Sequence, residues 1–287
     1  MDVILTNFLN GLSYAFILFL IASGLSLIFG VMGILNLAHG TLYMLGAYFG
    51  LTAAKAWGGN FWLGVVIAAV GVGLVGLLLE RVFLSRLYHK INEQALLTLG
   101  IVYIGANVVL WIWGPWSLMG KPPNFLSTSI GIGDFSFPIY RFGLIVIGLA
   151  IYFCLWWLQD KTRIGARIRA GMDDKEMTIG LGVDYGLISS AIFIVGAVMG
   201  GLAGFLGAPI IGIYPEISMQ ILLLAMIVVI VGGLGNIQGA LIGSLIIGLI
   251  DTFGKAYFSD FAMFTVYLIF IIMLLVRPTG LLGRKKV

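Results

Sequence analysis

The residues best suited to chemistry in this chain lie in two short strings. The first, 30–43, carries Asn36, His39 and Thr41 and no charged residue. Asn36 and His39 are three apart, so on a helix they share a face. Amide, imidazole and hydroxyl groups at that spacing offer uncharged donors and acceptors. They either brace the start of a helix or contact a small polar solute, and the residues alone leave both readings open. The second string, 232–241, carries Asn236 and Gln238. Both strings run Asn, one or two residues, then His or Gln, then Gly-x-Leu. The match is short, but glycine-rich runs flank both, which suggests two related halves of the kind found in transporters. Asn and Gly at a helix break leave backbone N–H groups free. A helix N-terminus turned inward suits an anionic or zwitterionic solute, because dipole and donors both point at it.

Other chemistry is missing. Gly71, Gly73 and Gly76 fit G-x-G-x-x-G, but inside an apolar run with no strand before it, so the match is chance. No G-x-x-x-x-G-K-[ST] occurs, so ATP is not bound through a P-loop. The chain has two histidines, His39 and His89, and one cysteine, Cys154, too few for a metal or disulfide framework. The apolar neighbours of Cys154 predict an inert buried thiol.

The elements that position these residues are membrane helices. The 287 residues are 61% hydrophobic and 10% charged, against roughly 25% charged in soluble domains. Only Asp2 and Lys55 are charged before Glu80, and only Glu216 between Leu187 and Ile250. A water-soluble surface cannot be built this way, which excludes a soluble enzyme, a nucleic-acid binder and a disordered chain. Apolar runs near 8–30, 37–56, 60–79, 95–115, 141–159, 187–207, 217–234, 237–256 and 261–276 predict about nine transmembrane helices, eight to ten if a segment is re-entrant. The start lacks the basic region of a cleaved signal peptide, so the first run is expected to be retained. The expected fold is an all-α polytopic membrane protein, glycine-rich, with two related halves and broken or re-entrant segments, in one transmembrane domain over 1–287.

Lys and Arg set the orientation. Under nine spans, twelve fall on one side: in 80–93, in 160–186 and in the tail. Lys55, Lys121, Arg141 and Lys255 fall on the other. The first side is therefore read as cytoplasmic, with the N-terminus outside and the C-terminus inside. The loop 116–140 is then external, and Trp111, Trp113 and Trp116 form an aromatic belt beside it. Glu216, after Pro215, sits at the outer mouth. Asp251 and Lys255 are spaced for an i,i+4 ion pair. No chain of carboxylates crosses the bundle, which argues against a proton relay. Glycine makes up 41 residues, much of it four apart, as at 196, 200 and 204, at 235, 239 and 243, and at 46 and 50. That pattern lets helix backbones approach closely.

The loop 160–186 is the most polar stretch. Ile164, Ile168 and Met172, then Met177 and Leu181, predict one or two short amphipathic helices along the membrane. They serve either as a basic anchor or as a docking element for a cytoplasmic protein.

The stretch 24–48 resembles the first-span signature of the permeases of branched-chain amino-acid ABC importers. It includes Gly30, Gly33, Asn36, His39, Gly40, Tyr43, Gly46 and Tyr48. The blocks 165–170, 179–184 and 231–240 and the ending 277–283 fit as well, so the resemblance runs nearly the whole chain in order. Length and a short N-terminus resemble the smaller of that system's two permeases. The resemblance implies a transport subunit that is not itself an enzyme, in the bacterial inner membrane. It implies a second homologous permease, two cytoplasmic ABC ATPases docked on the loop carrying Gly165, Arg167, Arg169, Asp173, Asp174 and Glu176, and a periplasmic binding protein. No cofactor is expected on this chain; ATP and magnesium belong to the ATPases. The implied cargo is a branched-chain amino acid or a related small solute (an amide, urea or an aromatic acid), moved by alternating access as helices beside Asn36, His39, Thr41, Asn236 and Gln238 re-pack. The alternatives are a stand-alone channel for a small neutral solute and an ion-coupled carrier.

Overall fold

A computed structural model describes residues 2–283 apart from 34–35, 88–89 and 133–134. Nine apolar helices are found among the described residues: α1 (Asp2–Met32), α2 (His39–Ala56), α3 (Phe61–Val82), α4 (Ile91–Trp113), α5 (Ile139–Lys161), α8 (Tyr185–Ile211), α9 (Ile217–Gly232), α10 (Ile237–Tyr257) and α11 (Ala262–Val276). Two polar helices, α6 (Arg163–Asp173) and α7 (Lys175–Gly180), fill the loop between α5 and α8. This is an all-α polytopic membrane protein. Six helices, α1, α3, α4, α5, α8 and α10, are each long and apolar enough to cross a bilayer. The other three are shorter or more polar.

Two of those three begin inside the bundle. α1 and α8 run antiparallel through its centre, with Gly24 against Gly196 and Ile17 against Gly207. α1 descends to the end that carries α6, called here the α6 face. α2 then starts beside Ile21 of α1 and Gly200 of α8. Ile21 lies 11 residues before Met32, so the start of α2 is about 16 Å from the α6 face at 1.5 Å per residue. The second half inverts this path. α8 rises to the opposite face, 212–216 turns back, and the first turn of α9 meets the first turn of α2, with Ser218 against Gly40. α9 then runs to the α6 face, where Gly232 packs on Gly239. The backbone paths match around the links that lead into α2 and α9, the second at 212–216, and not around the two strings. The string 232–241, paired with 30–43 on sequence, is instead a tight turn between α9 and α10 on the α6 face. An inverted repeat preserves the path of the backbone, and a short string shared by chance does not report it.

Small residues permit these approaches, as the spacing by four predicted. Gly46 meets the backbone of Gly201, and Gly204 meets the Tyr43 carbonyl. The core lies among α1, α2, α8, α9 and α10, while α3, α4 and α11 present apolar side chains outward. Trp111 and Trp116 are exposed, as an interfacial belt requires. Trp113 turns inward and donates to Thr52 Oγ1 at 2.8 Å. Cys154 is exposed rather than buried; its apolar neighbours mark a lipid-facing surface as well as they mark a core. The loop 116–140 contains strands β1 (Ser129–Ile132) and β2 (Phe135–Pro138), paired antiparallel. Leu118 and Ile213 also exchange backbone hydrogen bonds at 2.8 Å, tying this loop to the second break.

Candidate translocation site

The first break is the polar heart of the bundle. Asn36, His39 and Thr41 are 1%, 0% and 2% exposed. The Ala38 N–H donates to Asn36 Oδ1 at 3.1 Å, and the His39 N–H donates to the Asn36 carbonyl at 3.1 Å. Asn36 thus shapes the turn that admits α2. His39 Nε2 donates to the Ile21 carbonyl at 3.0 Å. A carbonyl only accepts, so Nε2 carries the proton and Nδ1 is an acceptor. Asn36 Nδ2, His39 Nδ1 and Thr41 Oγ1 make no hydrogen bond among the described residues. Each is a buried polar atom left at a cost of about 1–3 kcal/mol.

Asn236 and Gln238 lie elsewhere. Asn236 caps α10, accepting from the Gly239 N–H at 3.0 Å, and its Nδ2 donates to the Leu282 carbonyl at 3.2 Å. Gln238 is exposed on the α6 face. The structure does not bring these two to Asn36, His39 and Thr41. The ending 277–283 caps the other side of the turn. Leu281 N–H donates to Val231 O at 2.8 Å, and Leu282 N–H donates to Gly232 O at 3.0 Å. The last carbonyls of α9 are satisfied in this way.

The polar loop forms the two short helices its pattern predicts. Ile168 is buried, and the Met172 methyl lies against both Gly30 and Gly235. Tyr185 donates to the Val31 carbonyl and approaches the Gly171 carbonyl at 3.4 Å. So α6 touches the end of α1 and the α9–α10 turn together. Gly165 packs on the carbonyls of Leu158 and Gln159. Arg169 bonds the Gln159 carbonyl and lies 3.6 Å from Asp160. Asp174 caps α7 through the Met177 N–H at 2.9 Å. Arg167, Asp173 and Glu176 are exposed, beside exposed Ile164, Met177 and Leu181.

A cavity of about 480 Å³ opens toward the opposite face, between α1, α5, α8, α9 and α10. Sequence reasoning did not assemble it. Its charged lining is Arg141 of α5 with Asp251 and Lys255 of α10, and no local pattern joins the first to the other two. The Asp251–Lys255 pair forms as predicted, at 2.6 Å.

Residues 7–277 match a family described as branched-chain amino acid transport system / permease component. The chain belongs to this family. It is 30% identical to the high-affinity branched-chain amino acid transport system permease protein LivH of Salmonella typhimurium, over 99% of this chain and 96% of that one. It is 28% identical to the corresponding permease protein BraD of Pseudomonas aeruginosa, over 99% and 97%. It is 27% identical to a probable branched-chain amino acid transport permease protein LivH of Methanocaldococcus jannaschii, over 94% and 90%. No solved structure matches it. Family membership places the buried break, the cavity and the exposed α6 surface in one multi-pass transport subunit.

Proposed function

We propose that this chain is the membrane-spanning permease of an ATP-driven importer. The cargo is a branched-chain amino acid or a related small polar solute such as an amide, urea or an aromatic acid. The observation that carries the reading is the seat of α6, with Met172 against Gly30 and Gly235. A force applied to α6 reaches both helix pairs whose inner ends meet at Gly40 and Ser218. The applied force is ATP closure of two cytoplasmic ABC ATPases, which also hold the magnesium. Their groove receives Arg167, Asp173 and Glu176 with the apolar Ile164, Met177 and Leu181. Arg169, Gly165 and Asp174 shape the helices that present these groups.

The α6 face is cytoplasmic and the opposite face external, in the bacterial inner membrane, which puts the N-terminus outside and the C-terminus inside. The basic residues support that assignment. A homologous second permease covers the side of α9 where Glu216, Met219 and Leu223 are exposed between apolar helices. A periplasmic binding protein delivers cargo to the external face. Asn36, His39 and Thr41 then offer polar atoms to the solute as the inner ends part, while Asn236 and Gln238 move with the α9–α10 turn.

The test is uptake of labelled leucine into proteoliposomes holding the permease pair and the ATPases. Uptake that needs both ATP and the binding protein is expected. Passive uptake by this chain alone, or none under any combination, overturns the reading.

A further inference from the structure

The geometry points to a zwitterion-binding site inside this subunit: the cavity between α1, α5, α9 and α10 holds an α-amino acid, its carboxylate on Arg141 and its ammonium on Asp251. This rests on the transport reading above and adds the place and the groups.

Both signs of charge line one cavity. Arg141, at the start of α5, is half-buried and donates to Asn10 Oδ1 at 2.8 Å. Asp251, on α10, has a side chain only 9% exposed, with Oδ2 2.6 Å from Lys255 Nζ. Lys255 Nζ also lies 5.6 Å from the Tyr14 ring centre. Asn10 and Tyr14 are four apart on α1 and line the same cavity. Arg141 thus meets one turn of α1 and the Asp251–Lys255 pair the next. Both therefore face one cavity, where a carboxylate and an ammonium on one carbon can meet opposite charges.

The floor is aliphatic. Ile217, Ile221 and Leu224 line it from α9. The volume lies within the roughly 300–1,000 Å³ of small-molecule sites. A branched aliphatic side chain buried there removes apolar surface from water on both partners. Urea and neutral amides bring no charge for Arg141 or Asp251, and a simple anion meets Arg141 alone and leaves Asp251 with Lys255; only a zwitterion engages both.

Lys255 makes the anionic end exchangeable. Its side chain is 62% exposed, so it can leave for water when an incoming ammonium takes Asp251. The cavity runs along α9 from Ile217 to Leu224, past Ser218, whose carbonyl meets Gly40. The bound solute therefore rests beside the closed meeting of α2 and α9.

Saturation-transfer NMR on the purified permease–ATPase complex without binding protein tests this, using leucine, leucinamide and 4-methylpentanoate. Wild type is expected to give saturable signals on the leucine methyls and to prefer leucine to both analogues. Arg141→Gln should weaken leucine at least about tenfold, the least expected for a lost charged hydrogen bond, and erase its advantage over leucinamide. Asp251→Asn should erase its advantage over 4-methylpentanoate. Arg141→Lys should keep the preference for a carboxylate. If a variant fails to assemble, the wild-type ranking decides. Equal binding of all three compounds, or no saturable leucine signal, overturns the site. An importer that still takes up leucine in proteoliposomes then keeps the transport reading while losing the site; failure of uptake overturns that reading separately.

Discussion

Replacing Gly40 with alanine tests the central claim of the architecture, that two helix starts meet in mid-bundle. A Cβ on Gly40 would land on the Ser218 carbonyl oxygen and within 2.9 Å of Leu222 Cβ. Neither neighbour can swing aside, because the carbonyl is helical backbone and the Leu222 Cβ is fixed to its own. Overpacking of this kind costs about 1–3 kcal/mol. The gain in helix propensity from Gly to Ala, about 1 kcal/mol in a helix interior, is smaller at the second residue of α2. The net loss is then about 2 kcal/mol. At roughly 2–4 °C per kcal/mol for chains of this size, the melting temperature falls by about 4–8 °C. The assay is thermal survival of the detergent-solubilised complex by size exclusion, run beside leucine uptake. Gly100→Ala in α4 is the control. A Cβ there meets nothing within 4 Å, so its melting temperature should hold or rise slightly. A Gly40→Ala protein with wild-type melting and uptake would refute the meeting of α2 and α9. So would a Gly100→Ala protein that falls equally far.

The remaining predictions use the same complex. Arg167→Glu should leave the permease monodisperse but strip it of co-purifying ATPases, because Arg167 is exposed; ATPases retained at wild-type yield would refute its place in the dock. Arg169→Glu should instead lower the yield and melting of the permease itself, because Arg169 holds the Gln159 carbonyl; unchanged melting would count against that brace. A stop after Arg277 removes the donors to Val231 and Gly232, and at about 1 kcal/mol each should cost about 2 kcal/mol in thermal survival; full stability would show the α9 end satisfied otherwise. Trp113→Phe removes the bond to Thr52 and should cost about 1 kcal/mol, read as a small fall in melting.

The helices were legible because continuous apolar runs leave few alternatives in lipid, where every backbone group needs an internal partner. The amphipathic stripe through Ile168 and Met172 gave α6 for the same reason. The polarity of Asn36, His39 and Thr41 was visible, since each is out of place in an apolar run. Depth was not. A helix of 18 residues such as α2 reads as a span whether it starts at a membrane face or in mid-bundle. Only its packing against Ile21 and Gly200 distinguishes the two. The second break was hidden for another reason. The turn 212–216 contains Pro215 and Glu216 but no Asn, and it shares with 33–38 only the opening Gly-Ile. The charged cavity was hidden because Asn10, Arg141 and Asp251 are far apart in sequence, and no local pattern joins them.

One mechanical consequence follows from where α6 sits. Gly30 lies in the last turn of α1, the helix before α2, and Gly235 lies in the turn that joins α9 to α10. Met172 touches both, so α6 cannot be displaced without disturbing both contacts. α9 spans 16 residues from that turn to Ser218 and its neighbours, about 24 Å of stiff helix at 1.5 Å per residue. Over such a length a tilt of a few degrees at the α6 face becomes a shift of an ångström or two at the inner end. The contact there is backbone against a bare Cα, with no flexible side chain between, so a shift of that size opens or closes it. Packed cores switch between discrete arrangements more readily than they deform. On the transport reading, that is how a docking event on α6 would control the wall of the charged cavity. It also explains why the inner ends are built from Gly40 and a helical carbonyl, since a longer side chain at either place would absorb the motion.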